Sequence, residues 1–349
     1  MFLTRLLAKP ISPQTVLVFS NKPREVGTQG SRRKPKLSSK QKMKGSALLT
    51  ALFIMTLVAI VATAMSTRLQ SDIYRTRLVI TQDKLYFATQ AVMIWALNEL
   101  QNKNNHFTKT NELGMVAQYP KNMENIDNQI QISGGLYDLQ AQFNLNNLIE
   151  KKSIPTFMHL INQIYPKATG LERANLALGV KHWVLAYSLG RGEDIFTSYY
   201  LSQKPPYYPS HQLIKSKSEF RLVKDVSAPI YLTLEPFITA LPESTSININ
   251  TASKPILMSL GDGLNDSQVN ELIKVREENG ITDLKDISEL LKKFNIPNDQ
   301  ITIESQYYLS VASSKSDEFN LVVYSLLKRS RDRKGKFSIS VIRESINSF

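Results

Sequence analysis

Between Gly45 and Thr67 the chain has no charged residue, and the core of that stretch, residues 47–65, reads ALLTALFIMTLVAIVATAM. At ~1.5 Å rise per residue this segment is roughly 30 Å of apolar helix, the thickness of a bilayer core. Beyond Met65 the pattern turns amphipathic. Leu78, Leu85, Ala88, Val92 and Trp95 recur at helical spacing, while Arg68, Asp72 and Arg75 fall on another face where they can pair. No Gly lies between Gly45 and Gly114, and no Pro between Pro35 and Pro120. With nothing to break it, one helix is predicted from Ser46 to about Leu100, roughly 80 Å long, with its first half suited to lipid and its second half to a globular domain.

The rest of the chain changes period. Residues 130–144 alternate in part and contain Gly134-Gly135, which predicts a strand entered through a turn. Residues 301–311, 319–327 and 336–342 also read as strands, and the basic, Gly-containing connection 328–335 predicts a hairpin between the last two. Residues 155–188 and 253–294 carry helical patterns instead. An α+β architecture follows, in which a helical module interrupts a β framework.

Charge decides the direction of the apolar helix. Residues 1–44 hold eleven Lys or Arg against the single acid Glu25, a net of +10 out of the chain's +13. Lys40, Lys42 and Lys44 stand just before the apolar run, so the positive-inside rule keeps them cytoplasmic and sends the C-terminal body across the membrane. Three readings of the run compete. A buried core helix would show polar positions over such a length. A cleaved secretory signal would end at Ala62-Thr63-Ala64. A retained anchor agrees best with the unbroken helix that follows. Cysteine is absent, which excludes disulfides, thiolate-bound zinc and a thiol nucleophile.

Basic residues, then Lys44-Gly45-Ser46, then an uncharged helix that becomes amphipathic: this order resembles the type IV pilin-like class. The resemblance implies that a prepilin peptidase recognises Lys44 and Gly45, cuts between Gly45 and Ser46, and leaves Ser46 as a methylated N-terminus. It also implies that residues 1–45 are a basic leader that is removed. Met43 is an alternative start to Met1, and an uncut leader would be a basic cytoplasmic tail at anionic headgroups. Most of the class has Glu at the fifth mature position, and this chain has Thr50. That departure is similar to one family, the minor pseudopilin K proteins of type II secretion (general secretion pathway protein K).

Further stretches resemble the same family in the same order. They are Tyr137-Asp138-Leu139-Gln140-Ala141-Gln142-Phe143-Asn144-Leu145-Asn146, Lys204-Pro205-Pro206-Tyr207, Ser218-Glu219-Phe220-Arg221-Leu222-Val223, Thr239-Ala240-Leu241-Pro242 and Ile247-Asn248-Ile249-Asn250-Thr251-Ala252. The resemblance runs from about Lys44 to the C-terminus. It implies a pilin-like antiparallel sheet domain carrying a large inserted α-helical domain. The expected organisation is a transmembrane helix at 46–67, its amphipathic continuation at 68–101, a pilin-like α/β domain at 112–146 and 300–349, and an insert at 147–299. The insert includes a helix-hairpin-helix-like unit at 247–294. The implied role is non-enzymatic, at the tip of a periplasmic pseudopilus held in the inner membrane, with minor pseudopilins I and J and other pseudopilins as partners.

Two kinds of chemistry compete with that role. The helix-hairpin-helix pattern after Asn250-Thr251-Ala252 also suits an anchored or secreted DNA-binding protein of the DNA-uptake type. Its hairpin, however, carries Asp262 where a phosphate would sit, and residues 244–300 hold nine acids against six bases, so no nucleic-acid partner is expected. In that unit Asn248 and Asn250 are expected to fix a turn, Asp266 to cap the next helix and Gly280 to end it. His106, His159, His182 and His211 show no ligand spacing, and no phosphate loop or catalytic motif occurs. The resemblance implies bound calcium, but the family's acidic stretch corresponds here to residues 182–188, HWVLAYS, which have no carboxylate. Glu193 and Asp194 are the remaining metal candidates, and no other cofactor is expected.

Overall fold

The computed structural model describes residues 46–127, 130–186, 195–316 and 319–349. It separates into two compact units that divide after Arg68. In the first, residues 46–68 are helical throughout and their apolar side chains are exposed; the segment is long and apolar enough to cross a membrane. Its threonine hydroxyls bond back onto the helix itself. Thr50 donates to the Ser46 and Ala47 carbonyls at 3.1 and 3.0 Å, Thr56 to Phe53 at 2.8 Å and Thr63 to Ala59 at 2.7 Å. Such bonding back onto the helix satisfies polar groups that lipid could not.

The helix, α1 (Ser46–Gln101), continues into the second unit, as its pattern predicts. There it lies on a sheet built from β1 (Met115–Gln118), β2 (Asn125–Asp127), β3 (Ile130–Asp138), β8 (Tyr307–Lys315), β9 (Asn320–Arg331) and β10 (Phe337–Ile346). The order is β1-β3-β8-β9-β10, with β2 also on β3, and every pair is antiparallel. On one sheet face Ile132, Leu136, Ala312, Val323 and Leu327 bury Leu85, Ala88, Val92, Ala96 and Leu100 of α1. Gly134 permits the close approach, because a Cβ there would lie 2.5 Å from Val92 Cγ1 and 2.6 Å from the Val311 carbonyl.

Strand β3 pairs directly with β8, although some 170 residues of chain lie between their ends. Those residues leave the sheet and return to it. They form β4 (Phe143–Asn144), α2 (Ile154–Ile164), α3 (Gly170–Val184), α4 (Ile195–Leu201), α5 (Ala228–Leu234), β5 (Ile238–Thr239), β6 (Ile247–Asn248), α6 (Lys254–Met258), α7 (Asp266–Asn279), α8 (Ser288–Lys293) and β7 (Ile301–Thr302). One apolar core, with Phe143, Phe157, Leu176, Val180, Ile256 and Val269 at its centre, runs through them. The fold class expected from sequence, α+β with a long N-terminal helix, an antiparallel sheet and a helical insert, is the one observed.

Local boundaries differ from expectation. The strand expected over 130–144 ends at Asp138, whose side chain caps a 3-10 turn at Leu139–Ala141 before β4. The stretch 301–311 divides into β7 and β8. The hairpin turn is Asp332–Lys336 rather than 328–335: Asp332 Oδ1 accepts from the Lys334 and Lys336 amides, and Gly335 adopts φ +75°. Lys328 and Arg329 therefore belong to β9. In the helix-hairpin-helix unit the cap of α7 is Asn265, which forms a reciprocal pair with Gln268, and Asp266 is the first helical residue. Gly280 does end α7, at φ +75°, where a Cβ would meet Thr108 at 2.6 Å.

Candidate functional site

Two of the stretches that carry the sequence resemblance, 137–146 and 247–252, converge on one buried junction between the sheet and the insert. At its centre is Asp138, the last residue of β3. Its Oδ1 accepts from the Gln140 amide at 2.8 Å, and its Oδ2 accepts from Thr251 Oγ1 at 2.5 Å, Ser305 Oγ at 2.7 Å and Asn248 Nδ2 at 2.9 Å. Burial pushes the Asp138 carboxyl above the usual carboxylate range, while these four donors pull it the other way.

Around Asp138 the buried amide side chains act as extra backbone. Gln140 accepts from the Gln306 amide and donates to the Ser246 carbonyl; Asn146 brackets Ile214 and Leu241; Asn250 brackets Ile281 and Ile303. Asn144 and Asn147 do the same for residues 241–245. These loops have few ladder bonds of their own, so buried Asn and Gln supply the partners their peptide groups require. The motif is thus a scaffold whose buried amides hold the insert's loops against the sheet.

The second feature is the face of α1 that the sheet leaves uncovered. Ile73, Ile80, Phe87 and Ile94 recur every seven residues and are exposed: Phe87 and Ile94, at 72% and 57%, lie where the sheet buries the other side of the helix and Val92 is at 0%, whereas around Ile73 and Ile80 the helix is exposed on every side. At ~100° per residue the two stripes lie roughly opposite one another on the helix. The row supplies one of the two apolar positions in each seven-residue repeat by which long helices pack.

Of the residues expected to function, Ser46 is the first described residue and stands exposed at the start of α1, with Thr50 one turn on. Lys44, Gly45, Glu193 and Asp194 lie outside the described residues. Among the described residues no group of three or more His, Asp or Glu side chains is placed to hold a metal. The fold does bring His182 and His211 together, with ring centroids 5.7 Å apart and His182 stacked on Phe196, a proximity that their separation in sequence hides. In the helix-hairpin-helix unit, Lys254 pairs with Asp266 and Lys293 with Glu271. Arg276 is turned inward onto the Ile249 and Ala252 carbonyls, and burial lowers its pKa. Three of the unit's six bases are therefore committed, which disfavours a phosphate-binding role.

Sequence reasoning placed Asp138 in a family landmark without a role and missed Arg329. Arg329, on β9, is buried and closes the end of α1: its Nε donates to the Leu100 carbonyl at 2.8 Å, Nη2 to the Asn102 and Asn105 carbonyls, and Nη1 to Glu304 at 3.1 Å. Phe337 stacks 3.6 Å beneath the guanidinium. The signal was alternation: Asp138 follows Ile132, Gly134 and Leu136 on the core-facing side of β3, and Arg329 follows Leu321, Val323, Ser325 and Leu327 on that of β9.

Comparison with known proteins agrees with these features. Two family models described as type II secretion system (T2SS), protein K, match residues 141–243 and 247–304. Type II secretion system protein K of Aeromonas hydrophila is 30% identical over 236 residues, covering 62% of this chain and 69% of that protein. The Pseudomonas aeruginosa protein of the same name is 25% identical over 305 residues, covering 83% and 90%. A chain in the crystal structure of the GspK-GspI-GspJ complex from enterotoxigenic Escherichia coli has the same fold, with a TM-score of 0.62 at 22% identity over 79% of this chain and 100% of that one. With an insert that coincides with the matched segments and a relative 30% identical over 69% of its length, the chain belongs to the type II secretion system protein K family.

Proposed function

We propose that this chain is a non-enzymatic minor pseudopilin that sits at the tip of the pseudopilus, promotes its assembly and works in complex with minor pseudopilins I and J. The observation that carries the reading is the exposed seven-residue apolar stripe on α1, a surface for helices of other subunits. Two facts support a tip position. Thr50 offers no carboxylate at the fifth mature position, and its hydroxyl is turned back onto the Ser46 and Ala47 carbonyls. The insert also adds bulk to the pilin-like framework. We take residues 112–146 and 300–349 as that framework and 147–299 as the insert, with 46–67 in the inner membrane and the body in the periplasm.

Phe87→Glu places a charge in the middle of the stripe while leaving the sheet-facing side intact. Recovery of partner pseudopilins with the full-length chain from native membranes is expected to fall at least tenfold. Unchanged recovery would remove the stripe as an assembly surface.

Processing is tested separately, by mass spectrometry of the N-terminus. A methylated Ser46 is expected in the wild type, with Gly45→Val left uncut and secretion lost. A wild-type N-terminus at Met65 would mean ordinary signal cleavage instead. The resemblance implies calcium, and Glu193 and Asp194, which lie outside the described residues, are the side chains to test by calcium titration.

A further inference from the structure

The polar residues beside the apolar stripe specify what kind of helix can lie on it. At ~100° per residue, Asp72 and Asp83 fall about 50–70° to one side of the line through Ile73, Ile80, Phe87 and Ile94, and Arg77 and Lys84 fall about 50–70° to the other. The stripe therefore has an acidic flank and a basic flank, and an apolar row bounded in this way is suited to receive a helix.

Asp83 and Lys84 are both exposed, and among the described residues neither takes part in an ion pair. Their own helix offers them nothing. Three and four residues away from Asp83 stand Ile80, Tyr86, Val79 and Phe87, and around Lys84 stand Thr81, Ile80, Phe87 and Ala88. Asp72, by contrast, has Arg68 and Arg75 at those spacings. The uncommitted opposite charges thus stand on either side of the stripe, between Ile80 and Phe87.

Resting on the assembly role above, we propose that the stripe receives one helix of another subunit, and that this helix presents a Lys or Arg to Asp83 and an Asp or Glu to Lys84. A cation on one edge of an apolar seam and an anion on the other fix which way round the partner helix is turned about its axis. A partner turned the other way would put like charges together. Apolar contact holds the helix, and the flanking charges select it.

The test exchanges the two charges, Asp83→Lys with Lys84→Asp, in the full-length chain. Net charge, the apolar stripe and the sheet-facing side stay as they were. Partner pseudopilins are recovered from native membranes and quantified by mass spectrometry. A fall of at least tenfold is expected for the exchange, and a smaller fall for Asp83→Ala with Lys84→Ala, which removes attraction without adding repulsion. Recovery equal to wild type for the exchange would overturn the charge match. If Phe87→Glu still abolishes recovery in that case, the stripe remains the assembly surface and the charge match alone is wrong. If Phe87→Glu is also silent, both readings fall.

Discussion

Asp138→Ala is expected to lower the stability of the full-length chain by roughly 3–5 kcal/mol, seen as a lower urea midpoint with an unchanged slope. The substitution removes one side chain but strands four donors: the Gln140 amide, the Thr251 and Ser305 hydroxyls and the Asn248 amide. Three of them belong to chain that arrives from the insert or its return to β8, so the loss loosens the connection between insert and sheet. A change below about 1 kcal/mol would mean that water replaces the carboxylate without cost.

Asp138→Asn separates charge from shape. One oxygen becomes a donor and opposes either the Gln140 amide or the three-donor cluster, which costs about 1–3 kcal/mol. The pH dependence gives a second readout. Because burial raises the Asp138 pKa, the native state keeps that proton to a higher pH than the unfolded chain does. Its contribution is fully present below the ordinary carboxylate range and is lost as pH rises through the folded-state value. The stability gap between wild type and Asp138→Asn should therefore be widest in acid and narrow as pH rises. A gap that widens instead would show that the four donors outweigh burial.

Helix α1 was legible because its evidence is cumulative: a long stretch without Gly or Pro, uncharged and then amphipathic, admits few other structures. Strand existence was legible from alternation, and boundaries were not. Asp266 looked like a cap because acids favour helix starts, yet the preceding Asn265 has a Gln three residues after it and makes the reciprocal pair. Lys328 and Arg329 read as part of a polar turn because charge usually marks solvent. The ladder with β8 and β10 carries them on into the strand, and Arg329 is buried. The family landmarks gave identity without mechanism. Only the fold shows that their Asn and Gln residues bond to peptide groups about 30 to 170 positions away, which no local spacing encodes.

Arg329→Met is the substitution expected to damage the framework most directly. The methionine keeps much of the apolar stem but leaves the Leu100, Asn102 and Asn105 carbonyls and the Glu304 carboxylate without their donor. A helix ends in unsatisfied carbonyls and a partial negative charge, and here the guanidinium answers both from inside the protein. Removing one partner of a buried, hydrogen-bonded charge typically costs about 3–5 kcal/mol. Arg329→Lys retains the charge but can neither fork between carbonyls nor stack flat on Phe337, so an intermediate loss of roughly 2 kcal/mol is expected. Urea midpoints give the magnitudes, and limited proteolysis within residues 102–114 gives the location, since those residues lose their anchor first. If Arg329→Met instead unfolds within about 1 kcal/mol of wild type, with that loop still protected, then packing of Leu100 and Phe107 against Tyr308 and Leu327 holds the end of α1 without the guanidinium.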